Sequence, residues 1–437
     1  MKKILYTLLP LLACLASATT LAGVNIEHWT AASGAQVYFV ANRSLPMLDV
    51  QIDFTAGSVY DPAGKAGLAG LTVGLLDAGA RVGGALLDEE QIATKLVDSG
   101  AHLSGSADHD RAGVSLRTLT SQPEREAALD LMGAVLAAPS FPDEVLAREK
   151  ARSISAIQEA ATQPDSIAAK RFAAAIYPNH PYGVTASEES IARIGRDDLL
   201  AFWRGHFGAR QAVVAIIGDV SRAEAEAIAD RLTDALPQSA AVTPAPPAVS
   251  LPQRETIRLP HPATQSHIQI GMPAEKRTDA DYFALLVGNY TLGGGGFVSR
   301  LVQEVREKRG YAYSVYSYFA PRKLEGPFEI GLQTKREQAG EAIKLVEAVL
   351  ADFLRQGPTP AELKAAKQNL IDGQALRLDS NAKILGYLSL IGFHKLPLTY
   401  IEDFPRRVEA VTAQQVREAF ARHVRPENLV TVVVGGD

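Results

Sequence analysis

The chain is poor in the residues that build disulfides and self-contained metal sites. Its 437 residues include a single cysteine, Cys14, so no disulfide can form within the chain. None of the nine histidines lies four residues from another, which excludes a helix that presents two histidines to one zinc ion. We therefore expect no self-contained zinc site, and a fold held together by core burial.

Long runs of one charge are also missing. The formal net charge is −5, and basic and acidic residues are interspersed. This balance argues against nucleic acid or an anionic membrane surface as a partner. A composition of 47% hydrophobic and 21% charged residues is typical of a globular protein. The length indicates two or more domains, because single cores stop growing at about 250–300 residues.

The one long apolar run lies at the N-terminus. Lys2 and Lys3 precede the apolar residues 4–16, and small residues follow up to Ala22. This pattern predicts a signal peptide over residues 1–22 and a periplasmic or secreted protein. The run is shorter than the ~20 residues of a membrane-spanning helix, which disfavours an N-terminal anchor. A lipoprotein attached through Cys14 is the other alternative. No further segment is apolar enough to cross a membrane, so we expect none in the mature chain.

An internal repeat organises the rest of the chain. Residues 199–218 match residues 416–435 without gaps at an offset of 217, and residues 50–52 match residues 268–270 at an offset of 218. Each member of the longer pair reads as a helix followed by a buried strand that ends at glycine. Matches near both ends of the repeat, at nearly one offset, indicate two copies of one unit.

The repeat predicts an α+β fold of two homologous α/β-sandwich domains, because strands and helices come in runs without strict alternation. The first domain is expected over residues 23–235 and the second over 255–437. A linker rich in proline, alanine and serine joins them over 236–254. Thr359 and Thr412 begin capping boxes, which predicts helix starts there. The predicted strands cover residues 36–41, 48–56, 101–107 and 112–119 in the first copy, and 266–272, 312–320 and 327–334 in the second.

Four consecutive glycines, Gly293–Gly296, interrupt the second copy. They lack the Gly-Lys-Ser/Thr ending of a phosphate loop. We expect a flexible or tightly turning loop there, between helices over residues 281–292 and 297–308. Arg306 then falls near the end of a helix and Tyr313 at the start of the next strand. A guanidinium and a phenol suit stabilisation of a peptide carbonyl that becomes an oxyanion, although the same pair also occurs as an ordinary helix-end contact.

These residues carry a family resemblance. The run Gly-Gly-Phe-Val-Ser-Arg-Leu at 295–301, followed by Arg-Glu-Lys-Arg-Gly-Tyr-Ala-Tyr-Ser-Val at 306–315, resembles the pitrilysin/insulinase family of inverted-motif zinc peptidases, in the branch of the mitochondrial processing peptidase. The resemblance covers essentially the whole mature chain. It implies two domains that form half of a clamshell. It also implies that Arg306 and Tyr313 act on the substrate, and that Gly294, Gly295 and Ser299 bind it.

The resemblance fails at the family's zinc motif. The positions of the two zinc histidines fall on Gly70 and Gly74, and that of the catalytic glutamate falls on Val73. None of these side chains ligates zinc or activates water. Glu149 lies near the position of the distal ligand and, without its partners, is expected to be a surface carboxylate. The chain is thus expected to bind no cofactor, and zinc is expected in a partner chain.

The resemblance therefore implies the zinc-free subunit of an exported heterodimeric metallopeptidase, inactive alone. Its expected partners are a homologous chain with the His-x-x-Glu-His motif and a peptide bound by β-augmentation. An inactive binding or assembly protein of the same fold is the alternative. Gly70, Val73 and Gly74 disfavour a third interpretation, a self-sufficient metallopeptidase.

Overall fold

The computed structural model describes residues 24–82, 84–237 and 244–435. The predicted signal peptide and the centre of the predicted linker lie outside these ranges, and the proposed domain boundaries stay predictions. Within the described ranges, no helix has both the length and the apolar character needed to cross a bilayer.

The first half is built on a twisted six-stranded sheet. Its strand order is β1-β2-β8-β3-β7-β6, with β2 and β8 parallel and the other neighbours antiparallel. The short strands β4 and β5 form a separate hairpin. The strands of this half are β1 (Glu27–Thr30), β2 (Gln36–Ala41), β3 (Met47–Phe54), β4 (Gly79–Val82), β5 (Ala85–Asp88), β6 (His102–Ala107), β7 (Ala112–Leu119) and β8 (Val213–Gly218).

Helices cover this sheet and carry much of its core. The helices of the first half are α1 (Leu68–Gly74), α2 (Glu89–Asp98), α3 (Gln122–Ala137), α4 (Asp143–Ala160), α5 (Pro164–Ile176), α6 (Glu188–Arg193), α7 (Arg196–His206) and α8 (Arg222–Thr233). Fully buried β8 is the centre of the half, because it pairs with β2 on one side and β3 on the other.

The second half repeats this plan with a five-stranded sheet of order β11-β12-β10-β13-β9, in which β13 and β9 are parallel. Its strands are β9 (Glu255–Leu259), β10 (Gln265–Glu275), β11 (Ala312–Phe319), β12 (Gly326–Lys335) and β13 (Val430–Val434). Its helices are α9 (Tyr282–Asn289), α10 (Ala339–Gln356), α11 (Pro360–Asp372), α12 (Asn381–His394), α13 (Tyr400–Ala410) and α14 (Ala413–His423).

The duplication and the fold class predicted from the sequence are confirmed. Helix α7 with β8 corresponds to α14 with β13. The strand order β6-β7-β3-β8-β2 of the first sheet corresponds to the order β11-β12-β10-β13-β9 of the second. Every predicted strand is present to within a few residues. Thr359 and Thr412 each cap a helix through a reciprocal capping box.

The glycine run differs from its prediction. Helix α9 does not end in a loop but continues as a π-helical turn over Tyr290–Gly294, so Gly293 and Gly294 are helical. A short 3-10 turn follows over Gly296–Val298, and the longer helical segment begins at Arg300, not at 297, and winds as a π-helix over Val302–Glu307. The wide turns place the chain close to β11: a β-carbon on Gly293 would lie 2.5 Å from the backbone nitrogen of Ser317.

The two halves exchange one helix. Helix α12 of the second half packs on β2, β3 and β8 of the first sheet, while α5 of the first half packs on β10 and β13 of the second. The two helices begin at Pro164 and Asn381, which are separated by the offset of the sequence repeat. They are therefore equivalent elements that have traded sheets, so each half completes the core of the other.

Buried polar pairs lie along this seam. The Ser389 hydroxyl of α12 donates to the Asp53 carboxylate of β3 at 2.5 Å and accepts from Arg111. Tyr182 donates to Asp110 in a short hydrogen bond. The same Asp110 carboxylate accepts the backbone N–H of Lys323 at 2.8 Å. Because Asp53 and Asp110 are 1% and 5% exposed, these bonds satisfy carboxyl groups that water does not reach.

The exchange predicts opposite effects for two glycines of α12. A β-carbon on Gly392 would lie 2.4 Å from Val213 Cγ1 and 2.7 Å from the Tyr38 ring, whereas one on Gly386 meets nothing within 4 Å. Gly392→Ala should lower the free energy of unfolding by about 1–3 kcal/mol through overpacking. Gly386→Ala should raise it by roughly 1 kcal/mol through helix propensity. Urea denaturation of both variants measures the difference, and equal stabilisation by the two would contradict this packing.

Candidate functional site

Helix α1 stands where the zinc motif is expected. The Asp61 carboxylate holds its first turn by accepting the backbone N–H groups of Gly67 and Ala69, each at 2.8 Å. Burial raises the pKa of Asp61 to about 6, while these donors favour its charged form. Gly67 has a φ of +102°, a left-handed conformation suited to glycine.

The motif positions on α1 offer no ligand. Gly70 and Gly74 are exposed, and the space where their side chains would begin is open to 4 Å. Val73 is 4% exposed and lies against β6, where its Cγ2 would be 3.1 Å from a β-carbon on Gly105. Residues 24–82, 84–237 and 244–435 contain no cluster of three histidine, cysteine or acidic side chains placed to hold a metal ion. These side chains do not fit a zinc ion.

Glu149 lies on α4 and is paired with arginines. Its carboxylate accepts from Arg148 Nε at 3.0 Å and from Arg152 Nη1 at 3.1 Å. The side chain is 21% exposed. These contacts are those of a carboxylate on the surface of a helix, which is what the sequence predicts for Glu149.

Arg306 and Tyr313 meet in the second half. Arg306 lies in the last turn of the π-helical segment and Tyr313 is the second residue of β11. The Arg306 guanidinium lies between two aromatic rings, 5.1 Å from the centroid of Tyr313 and 4.8 Å from that of Phe297. Its nearest carboxylate is Glu307, at 3.5 Å. Stacking of this kind orients a guanidinium while leaving its in-plane donors available.

The Tyr313 ring projects into solvent. It is 84% exposed, and Phe297 beside it is 63% exposed. None of the described residues forms a hydrogen bond with the Tyr313 hydroxyl. Together the two rings and Arg306 form an open, donor-bearing rim.

This rim borders a cavity of about 640 Å³, which lies wholly within the second half. A cavity of this size accommodates a small ligand or a few residues of a peptide. Its wall includes Tyr316 and Tyr318, whose rings stack with centroids 5.9 Å apart. Tyr318 donates to the buried Glu329 carboxylate at 2.6 Å, which fixes its ring. The residues that matter most for its chemistry are Glu275, Arg277, Tyr282, Phe297, Arg306, Tyr313, Tyr316 and Tyr318.

The residues predicted to bind substrate occupy different positions. Gly294 lines the cavity, whereas Gly295 and Ser299 are not among its lining residues. Ser299 is fully buried, and its hydroxyl donates to the Gly296 carbonyl at 2.7 Å. Ser299 thus holds the turn that carries Phe297, and the structure places it behind the rim.

Sequence reasoning missed Glu275 and Arg277. Glu275 ends β10, is 1% exposed, and its Oε1 atom has no hydrogen-bond partner within the described ranges. Burial raises the pKa of Glu275 to about 8; Arg277 opposes this shift, and Asp279 and Asp281 add to it. The sequence gives little indication of this pair, because a glutamate and an arginine at the end of a predicted strand are typical of an exposed turn.

Two histidines make equivalent contacts in the two halves. His206 and His423 occupy equivalent places in the repeat, at the ends of α7 and α14. Each ring lies within hydrogen-bond distance of a backbone carbonyl near the end of a strand, that of Thr55 directly after β3 at 3.2 Å and that of Ala274 near the end of β10 at 2.9 Å.

The fold and this site define a class of protein. Two duplicated α/β units with an arginine–tyrosine rim on the second unit, and no metal ligands on the helix of the first, have the architecture of M16 peptidases in a form without the metal site. A family model for the peptidase M16 inactive domain matches residues 193–370.

Known relatives place the chain in the same family. A crystal structure of a peptidase M16 inactive domain from Pseudomonas fluorescens is 38% identical, with a TM-score of 0.87, and the match covers 94% of this chain and 98% of that one. The non-peptidase homolog YmxG of Helicobacter pylori is 24% identical over 99% of this chain and 98% of its own length. An uncharacterised zinc protease of Streptomyces coelicolor is 27% identical over 70% of this chain and 68% of its own length. This chain belongs to the peptidase M16 family.

The buried carboxyl of Glu275 predicts a pH-dependent stability. Between about pH 4.5 and 8 the folded state keeps a proton that the unfolded chain has lost, so stability falls as pH rises through this window. Glu275→Gln removes the titration, and the variant should gain stability relative to the native chain as pH is raised from about 5 to about 9. Urea denaturation at several pH values measures this. Glu427→Gln, at an exposed position, is the control. Parallel curves for Glu275→Gln and the native chain would contradict the prediction.

Proposed function

We propose that this chain is the zinc-free subunit of an exported, heterodimeric M16 peptidase. The observation that carries the proposal is the contrast between two surfaces. The helix at Gly70–Gly74 bears no metal ligand, whereas Arg306 and Tyr313 present a guanidinium and a phenolic hydroxyl at the mouth of a cavity. A chain with only the second surface binds and polarises a peptide and depends on another chain for its hydrolysis.

In this proposal the chain's own residues hold the substrate and stabilise charge. The peptide lies along the rim, with a carbonyl oxygen directed at the Tyr313 hydroxyl and the Arg306 guanidinium. Both groups are donors, and both become more effective as the carbonyl oxygen gains negative charge. Phe297 and Tyr313 keep the guanidinium in place by stacking on it. The zinc ion and the attacking water belong to the partner chain.

The relatives support a division of labour within the family. Some are named as zinc proteases, and one of nearly equal length is named as a non-peptidase homolog. A partner that carries the complete motif accounts for both kinds of chain. Export rests on the N-terminal pattern of the sequence.

The isolated chain should contain no stoichiometric zinc and cleave no peptide. The reason is the lack of ligating atoms at Gly70, Val73 and Gly74. Metal analysis of the purified chain and a fluorogenic peptide assay, with and without added zinc, test this. Zinc-dependent cleavage by the chain alone would contradict the proposal.

Mixing with a secreted M16 chain that carries His-x-x-Glu-His should produce peptidase activity, and Tyr313→Phe should then lower kcat by about 10²-fold or more. Phenylalanine retains the ring on which Arg306 stacks, so the variant isolates the hydroxyl. Steady-state kinetics of the reconstituted pair measure the effect.

Arg306→Gln should lower kcat/KM of the same pair, while Arg309→Gln serves as its control. Arg309 is exposed, lies three positions away and does not line the cavity. If the pair formed but lost nothing with Tyr313→Phe or Arg306→Gln, an inactive assembly role for this chain would be favoured instead.

A further inference from the structure

The floor of the cavity carries charged groups that the proposed chemistry does not use. Glu275 and Arg277 both line it, together with Arg306 at the rim. Residues that only stabilise the fold normally satisfy one another when they are buried. Here the Glu275 Oε1 and Arg277 Nε atoms are both buried and without a hydrogen-bond partner within the described ranges.

Arg277 is held by its backbone and lies against an aromatic ring. Its backbone N–H donates to the Arg322 carbonyl at 2.8 Å, which anchors it at the end of β10. Its guanidinium lies 5.0 Å from the centroid of the Tyr282 ring, another residue of the cavity wall. No carboxylate of the described part of the chain forms a salt bridge with it.

The charge balance of the cavity selects an anion. Arg277 and Arg306 contribute two positive charges, and Glu275 is the one acidic side chain that lines the cavity. Even with Glu275 ionised, the arginines that line the cavity outnumber the carboxylates that line it. Burial favours the neutral form of this carboxyl, and a neutral carboxyl donates a hydrogen bond where a carboxylate does not. A lysine or arginine side chain entering the cavity would meet two like charges.

We propose that Arg277 and Glu275 form a subsite for a carboxylate of the bound peptide, either an acidic side chain or the C-terminal carboxylate. The planar guanidinium offers the carboxylate parallel N–H donors, and the Glu275 O–H supplies a further one. The subsite deepens the proposed function and rests on peptide binding at the Arg306–Tyr313 rim.

Direct binding to the full chain tests the subsite without the partner. The probes are fluorescein-labelled peptides with one alanine–leucine host sequence and an amidated C-terminus, carrying glutamate, glutamine or lysine at the centre. A fourth probe is the glutamine peptide with a free C-terminal carboxylate. Fluorescence anisotropy at neutral pH should give a Kd about 10-fold lower for a carboxylate-bearing probe than for the amidated glutamine peptide. Whether the central glutamate or the free C-terminus produces the gain identifies the source.

Variants assign the gain to the subsite. Arg277→Gln should abolish the preference for a carboxylate and leave the affinity for the amidated glutamine peptide within about 2-fold. Glu275→Gln keeps a neutral donor at the same place, so it should retain the preference. Arg309→Gln removes one positive charge outside the cavity and should change neither affinity. Far-UV circular dichroism and melting temperature show whether each variant is folded.

The remaining outcomes overturn the proposal in distinguishable ways. Equal affinities for all four probes would remove the carboxylate subsite but retain peptide binding and the proposed function. Tightest binding of the lysine peptide, lost in Glu275→Gln, would show a cation site instead. Binding of no probe at all would overturn both the subsite and the peptide-binding role on which it rests. Persistence of the preference in folded Arg277→Gln would place the carboxylate elsewhere.

Discussion

The exchange of α5 and α12 is the constraint on which the rest of the structure depends. Each sheet buries one face under helices of its own half and the other under a helix from its neighbour. Separating the halves would therefore expose two apolar sheet faces and two apolar helix faces at once.

The exchange also positions the site. Phe172 of α5 packs where a β-carbon on Gly271 would lie 2.9 Å from its ring. Gly271 belongs to β10, the strand that runs on to Glu275 and the cavity floor. Helix α5 of the first half thus packs on β10, the strand that ends at Glu275 on the cavity floor of the second half.

The polar seam makes this exchange specific. Apolar packing alone allows a helix to slide along a sheet, whereas the hydrogen bonds of Asp53 with the Ser389 hydroxyl and of Asp110 with the Lys323 backbone N–H join particular residues of opposite halves. A shifted register would leave a buried carboxyl without donors, at a cost of about 1–3 kcal/mol for each group. Burial raises the pKa of both aspartates, so their hydrogen-bond donors stabilise charges that the interior disfavours. The seam is consequently specific because mispairing is costly.

Much of the fold was predictable because its signals are local and occur twice. The strands over residues 36–41 and 112–119, the helix starts at Thr359 and Thr412, and the match of residues 199–218 with 416–435 each follow from patterns within a short window. The helix exchange depends on contacts between residues more than 150 positions apart, such as Gly392 with Val213, and no local pattern reports it. The π-helical turns were missed for a related reason: Gly293 is helical because it must approach Ser317 closely, a requirement set by β11. Within the site, the spacing of Arg306 and Tyr313 was recognisable as a family motif, whereas Glu275 has meaning only through its burial.

The two sets of glycines differ in what the packing around them requires. A β-carbon on Gly293 would lie 2.5 Å from the backbone nitrogen of Ser317, so the fold requires glycine there, and one on Gly294 would lie 2.7 Å from the side-chain amide of Asn289. Gly70 and Gly74 face open space, so nothing in the packing requires glycine there. Glycine inside a helix costs roughly 1 kcal/mol relative to alanine, and the first site therefore lacks both ligands and any structural reason for its present residues. On the opposite unit, Tyr313 and Phe297 remain largely exposed beside Arg306. Exposed aromatic rings beside a guanidinium are unfavourable as a bare surface and suited to being covered by a ligand. The two units thus share one fold and differ in the side chains that they present at these two surfaces.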